Sequence, residues 1–469
     1  MFRKLVTFMF ILVIAIPLFF YSFQYFSRAA AIKANIVVDA TKTSGPFPDR
    51  WKALAQGGEE SGARMLENVI SQVSGLYPRY IRLDHIYDFY DMVSRDSSGN
   101  LFFNFSKLDK TVCDIYNTGA KPFFSLGYMP PTMSDDGSLI GKPKNWDEWI
   151  FLVQKTIEHY SSKDTVLPCG ALENFWKTDI YYEVWNEPDL ETFGKWRYSG
   201  EKSYNDLYFY SVKGAQQAQN ALPFKIGGPV TTALYKNWIQ KFLDFVSANN
   251  LRIDFLSWHH YSKKTDDFTD DIIKLNKWLG ESPKYDKYEN LPKIISEWGY
   301  DSEKNPIADT EMGAAHTVAS LRNLLNARLE LAFLFEIKDG PTLSWGILNY
   351  DGSPKPRYQA LKLLNALEGS QLIVDGEGSN VSAIASENEE KIVLILTNYD
   401  QSGRNYEAVP VVFKNLVGTI YSLTKKYLDG RLETMLNLQT INREIRLEGE
   451  KSIIMQANTI IGLELVKTQ

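Results

Sequence analysis

Strand-like and helix-like patterns alternate along this chain from residue 34 to residue 335, and no other feature narrows the possible folds as far. Apolar runs rich in β-branched and aromatic residues fall at 34–40, 79–83, 121–126, 179–187, 224–228, 253–261, 293–299 and 330–335. Between them, apolar positions three and four apart mark helices at 62–76, 108–117, 146–160, 204–221, 238–248, 270–279 and 311–329. Residues 45–60, with Pro46, Pro48 and the Gly57-Gly58 pair, read as loop. Parallel strands need a crossover, and eight strand–helix units in about 300 residues predict an α/β fold closed into a (β/α)8 TIM barrel.

The pattern changes near Gly346, where a turn at Asp351-Gly352 leads into a helix at 356–367. Beyond Gly369 the helical period disappears. Residues 391–397, 408–413 and the strictly alternating 444–448 read as strands, 452–466 alternates in part, and the whole predicts a small C-terminal β-sandwich. At the other end, Arg3 and Lys4 precede an uncharged, mostly apolar run over 5–27, long enough to cross a bilayer as an anchor helix. Ala29-Ala30-Ala31 also offers a small-residue cleavage site, so an anchor and a cleaved signal segment are both open; either way the rest is exported. The expected division is 1–31 as anchor or signal segment, 32–368 as barrel and 369–469 as sandwich.

Charge excludes one class of partner. With 51 basic and 57 acidic residues, a net charge of −6 leaves no broad basic field to neutralise phosphates, and nucleic acid is not expected. Most of the 11 Trp, 26 Tyr and 26 Phe belong in a core, and the remainder suit stacking on the apolar faces of sugar rings. The two cysteines, Cys113 and Cys169, show neither CxxC nor metal spacing. Export would permit a bridge between them, but they read as separate thiols.

The fourth run, DIYYEVWNEPD, is strand-forming until Pro188, which cannot donate to a sheet ladder, so the strand is expected to end at Asn186 and Glu187. The seventh, KIISEWG, carries Glu297 near its end. Active sites of parallel barrels lie at the C-terminal ends of the strands. One carboxyl there reads as a surface residue or a helix cap; two suit glycoside hydrolysis, in which one protonates the leaving oxygen and the other attacks or activates water. Because successive strand residues face opposite ways, Asn186 and Glu187 serve one site only if the ladder breaks there. Glu183 points into the barrel and needs a buried partner, for which Arg82 is the candidate. Trp258-His259-His260-Tyr261 ends the sixth run; adjacent histidines face apart and no third ligand stands at metal spacing, so no metal is expected. His259 and Tyr261 are in phase, one suited to sugar hydroxyls and the other to holding the nucleophile. No phosphate-binding glycine loop or GxSxG element stands in a supporting context, and the chemistry needs no cofactor.

The segments FPDRWKALAQGGEE, YIRLDHIYD, YYEVWNEPDL, FLSWHHYS, IISEWGY and GILNYDGSPKP, in this order and spacing, resemble glycoside hydrolase family 39, the β-xylosidase and α-L-iduronidase family. The resemblance runs over about residues 34–367 and implies a retaining double displacement, with Glu187 as acid/base and Glu297 as nucleophile. It also implies Asn186 on the sugar 2-hydroxyl, His259 as a sugar contact and Tyr261 as support for the nucleophile. Two residues after Arg82, where the family carries His, this chain has Asp84, with His85 next; Phe335 is the nearest match to a last-strand aromatic. Arg82, Asp84, His85, Trp298 and Phe335 complete the expected substrate-binding set. The expected protein is an exported, membrane-anchored retaining glycosidase, exo-acting on β-xylosides or a related glycan. The rival readings are an endo-acting glucanase or glucuronidase of the same barrel clan, and a surface carbohydrate-binding protein on an inactive barrel, against which the glutamate pair argues.

Overall fold

The computed structural model describes residues 31–57, 60, 63–170, 172–327, 329–342 and 345–468. Eight parallel strands close a barrel in chain order: Ala53–Gln56, Tyr80–Leu83, Lys121–Leu126, Ile180–Val184, Phe224–Thr231, Phe255–Tyr261, Lys293–Gly299 and Leu331–Phe335. The second to eighth coincide with expected runs. The first does not. Residues 34–40 were expected to open the barrel, but the strand there, Ile36–Pro46, pairs antiparallel with Ser370–Asp375 and parallel with Val411–Lys414 in the C-terminal region. The true first strand, ALAQ, lies in the stretch read as loop, because it lacks the β-branched and aromatic residues that mark strands.

The barrel interior explains that composition. Tyr80, Phe123, Tyr181, Phe255 and Phe333 fill its lower part together with Ala53 and Ala55. Phe123 stacks on Tyr181 at 5.3 Å between ring centroids and meets Phe333 at 4.7 Å. Aromatic rings from five strands leave room only for alanine methyls on the first strand.

The outer helices form for local reasons that the sequence states well. Trp146–Tyr160 starts on Asn145, whose side chain accepts from the Asp147 amide, and carries Asp147 and Glu148 in its first turn against the positive helix end. Its Trp149, Leu152, Val153, Ile157 face is buried, partly against helix Tyr204–Gln217, where Trp149 Nε1 donates to Ser211 Oγ at 2.9 Å. The two backbones approach so closely at Gly214 that a Cβ there would stand 2.5 Å from the Ile150 carbonyl oxygen.

The C-terminal region is β-rich, as expected, but it is built as one nine-stranded sheet plus the two-stranded ribbon Tyr406–Val409 with Ile453–Gln456. Both close on a single apolar core that includes Ile36, Val38, Leu394, Phe413, Leu423 and Leu463. It packs on the barrel helices Glu311–Asn326 and Pro356–Leu364; Tyr399 Oη and Gln401 Nε2 both donate to the Lys263 carbonyl, at 2.8 and 3.0 Å. Among the described residues no helix is long and apolar enough to cross a membrane, and the expected anchor over 5–27 lies outside the described residues.

Cys113, on helix Ser106–Asn117, and Cys169 form a disulfide with Cα atoms 5.6 Å apart, which corrects the reading of two separate thiols. The two residues come from a helix and a distant loop, and sequence spacing carries no sign of that approach. The bridge closes a loop of 56 positions. Replacing both cysteines by serine should therefore lower unfolding stability by about 4 kcal/mol, the loop-closure contribution for a ring of that size, as measured by denaturant titration.

Candidate active site

Two strand ends carry the glutamate pair, and each departs from regular strand geometry. On the fourth strand the ladder stops at Val184, and Trp185 (φ 74°) and Glu187 (φ 43°) adopt left-handed backbone. That break lets Asn186 and Glu187 project into one space, as the sequence argument required. Trp185 is locked by its own side chain, which packs among Tyr128, Trp149 and Trp196 and donates from Nε1 to the Phe193 carbonyl at 2.7 Å. On the seventh strand, Ile295 pairs with Trp258 but Glu297 pairs with His259, so Ser296 is an extra residue. Ile294 faces the barrel interior, and uninterrupted alternation would send Glu297 outward. The bulge turns Glu297 inward and Trp298 outward.

Arg82 stands beneath these tips, 1% exposed. Its Nε donates to Glu183, its Nη1 to Glu297 Oε1 and its Nη2 to Asn186 Oδ1, each at 2.8 Å. The expected Arg82–Glu183 pair is present, and the same guanidinium spans the site. Asn186 Nδ2 donates in turn to the Tyr128 hydroxyl at 2.8 Å. Tyr261 Oη donates to Glu297 Oε2 at 2.8 Å, and His259 Nδ1 lies 2.8 Å from Glu187 Oε1 and 3.4 Å from Glu297 Oε2.

Burial sets the electrostatics. It works to lower the Arg82 pKa, but Glu183 and Glu297, with Asp84 behind them, outweigh it and hold the guanidinium firmly charged. Burial pushes Glu297 above the ordinary carboxylate range; His259 and Arg82 oppose this, and Glu187 adds to it. For His259, burial favours the neutral ring, yet the charge of Glu297 and the bond to Glu187 raise its pKa overall. Tyr261 is driven well up by burial and by both glutamates, so it remains a hydrogen-bond donor.

Above this floor lies a cleft of about 670 Å³. Asp84, His85, Asn186, Glu187, Tyr261, Glu297 and Phe335 line it, as expected. Three expected contacts do not. Arg82 is spent on its three partners below the surface. His259 has no exposed surface and stands between the carboxyls rather than against a sugar. Trp298, 1% exposed, lies in the outer core with its ring edge-on to Phe268, a consequence of the bulge. The sequence reading also missed wall residues. Phe193, Tyr235 and Trp345 supply aromatic surface and Glu303 a carboxyl, all from loops after the strands, where neither periodicity nor strand position marks them. His260, absent from the expected site set, reaches the rim while bonded through Nδ1 to Asp271.

Among the described residues, Glu187, His259 and Glu297 form the one trio of His, Cys, Asp or Glu whose ligating atoms converge, all within 4.8 Å of one another. Those atoms could hold a divalent ion, but the Arg82 guanidinium already sits on Glu297 and would repel a second cation. The arrangement suits proton transfer and nucleophilic attack better than metal binding.

A family model for glycosyl hydrolases family 39 matches residues 34–434. A beta-xylosidase of Caldicellulosiruptor saccharolyticus is 27% identical over 355 residues, which is 69% of this chain and 69% of that one. A second, from Geobacillus stearothermophilus, is 25% identical over 334 residues, 64% of each. Among solved structures, a monomeric beta-xylosidase from Caulobacter crescentus CB15 shares the fold with a TM-score of 0.71 at 19% identity, covering 93% of this chain and 100% of that one. The family match extends across the barrel and into the β-rich region behind it, and the glutamate pair stands where that fold places its chemistry: this chain is a glycosidase and belongs to glycosyl hydrolase family 39.

Proposed function

We propose that this chain hydrolyses β-xylosides with retention of anomeric configuration. The observation that carries the reading is the approach of Glu187 and Glu297, whose carboxylate oxygens come within 4.8 Å across the cleft floor. Carboxyl groups about 5 Å apart suit a double displacement, whereas inversion needs roughly 6.5 to 9.5 Å to seat a water. The names of the relatives support the sugar.

In the first step Glu187 gives its proton to the glycosidic oxygen as the bond from that oxygen to the anomeric carbon breaks, and a Glu297 oxygen bonds to that carbon. In the second, Glu187 takes a proton from water, whose oxygen displaces Glu297. Arg82 and Tyr261 both donate to Glu297 and favour negative charge there, the form in which it attacks. Export belongs to the same proposal: the apolar run over 5–27 after Arg3 and Lys4 supports it, and so does a disulfide, which persists in oxidising compartments.

Glu187→Gln should slow aryl xylosides with poor leaving groups by about 10²- to 10⁴-fold while sparing those with activated leaving groups, and Glu297→Gln should abolish both. Proton NMR of the reaction should show the β-anomer of xylose first; an α-anomer first would sink the retaining reading. The pH profile tests the electrostatics. Glu297 must be ionised to attack, so kcat/KM should fall as pH drops through its raised pKa, on a limb above the ordinary glutamate value of about 4.3. Tyr261→Phe removes a donor from the charged form, so that limb should move to higher pH and kcat/KM should fall about tenfold or more.

A further inference from the structure

The cleft is acidic, and one of its acids holds a buried oxygen with no hydrogen-bond partner among the described residues. Asp84, Glu187, Glu297 and Glu303 line it, and among the described residues neither Arg nor Lys does. Glu187 and Glu297 have the partners described above. Asp84 differs from both: it is only 6% exposed, and its Oδ1 is buried with no hydrogen-bond partner among the described residues. Arg82, two positions earlier, acts on Asp84 through its charge, but its Nε, Nη1 and Nη2 are directed at Glu183, Glu297 and Asn186. Asp84 therefore feels that charge without receiving a bond from it. A nearly enclosed carboxylate oxygen without a donor is unfavourable, and where a fold retains one at the wall of a cleft, the missing donor belongs to what the cleft receives.

We infer that Asp84 is the residue that reads the glycone: its carboxylate accepts hydrogen bonds from hydroxyls of the sugar seated against Glu297. The inference rests on the glycosidase reading of this cleft and adds a substrate class to it. A neutral sugar supplies hydroxyl donors that satisfy Asp84. A uronate brings another carboxylate into a site that already holds several and, among the described residues, has no Arg or Lys on its walls, so acidic sugars are rejected by repulsion and by the loss of a donor together.

The test compares wild type, Asp84→Asn and Asp84→Ala on 4-nitrophenyl β-xyloside, on its monodeoxy analogues and on the corresponding glucuronide. It adds calorimetric titration with xylose and a thermal melt of each variant. Wild type should lose about 10- to 100-fold in kcat/KM on the analogue lacking the hydroxyl that Asp84 reads. Asp84→Ala should lose a similar factor on the parent xyloside and little more on that analogue, because the interaction is already gone; Asp84→Asn, which keeps one acceptor oxygen, should fall between. Glucuronide should be the poorest substrate of wild type. Both variants should melt at or above the wild-type temperature, since the substitution removes an unsatisfied buried group. An equal loss by Asp84→Ala on every analogue, with a lowered melting temperature, would make Asp84 a structural prop and overturn the proposal. Weakened xylose binding by Asp84→Ala in a protein whose wild type cleaves no glycoside would support the Asp84 assignment and remove the hydrolase reading instead.

Discussion

One buried guanidinium organises the working end of this molecule. Arg82 rises from the second strand into a barrel interior that is aromatic below it, and meets the fourth strand through Glu183 and Asn186 and the seventh through Glu297. Arginine suits the position because its planar fork carries several donors at fixed angles, so one charge orients three groups at once. Buried ion pairs add little net stability after desolvation. The return here is positional. Glu183 and Glu297 would repel and part, and the cation they share holds Glu297 and Asn186 toward one space.

Regular barrel geometry alone would not have made that space. Strand alternation sends neighbouring side chains to opposite faces, yet the site needs Asn186 together with Glu187, and it needs Glu297 where alternation would place Ser296. The fold answers twice, with left-handed backbone at Trp185 and Glu187 and with the extra residue of the seventh strand. Both irregularities are supported by rigid surroundings, the Trp185 side chain in its aromatic nest and the paired sixth strand, so the strained segments are over-determined by their neighbours.

These particulars also mark how far the sequence could be read. The barrel was legible because helix and strand periods differ, and Glu187 was legible because Pro188 announces the end of a ladder. The Arg82–Glu183 pair followed from the need of a buried carboxylate for a partner. What escaped was set by tertiary packing. ALAQ is a strand because aromatic rings opposite it leave space only for alanine. His259 sits under the carboxyls and not beside a sugar, a difference of depth that period-two reasoning does not carry. Trp298 was assigned to the cleft because a bulge leaves no mark in a single sequence, and Cys113 met Cys169 across a distance that no spacing rule spans. The wall aromatics Phe193, Tyr235 and Trp345 come from loops, where position follows from the fold as a whole.

The misplaced first strand has its own consequence. Ile36–Pro46 leads into the barrel yet is sewn into the C-terminal sheet, and nearby the Ala34 amide donates to Glu407 Oε2 across 373 positions of sequence. A chain made from its N-terminus exposes this strand early and completes its pairing only after all eight barrel strands have been synthesised. Until then it is an open edge able to pair with strangers, and contacts this distant in sequence form slowly. The β-rich region is thus a clasp whose two parts lie on either side of the barrel in the sequence. A product cut short anywhere in the barrel leaves the clasp open, and only the finished chain can close it.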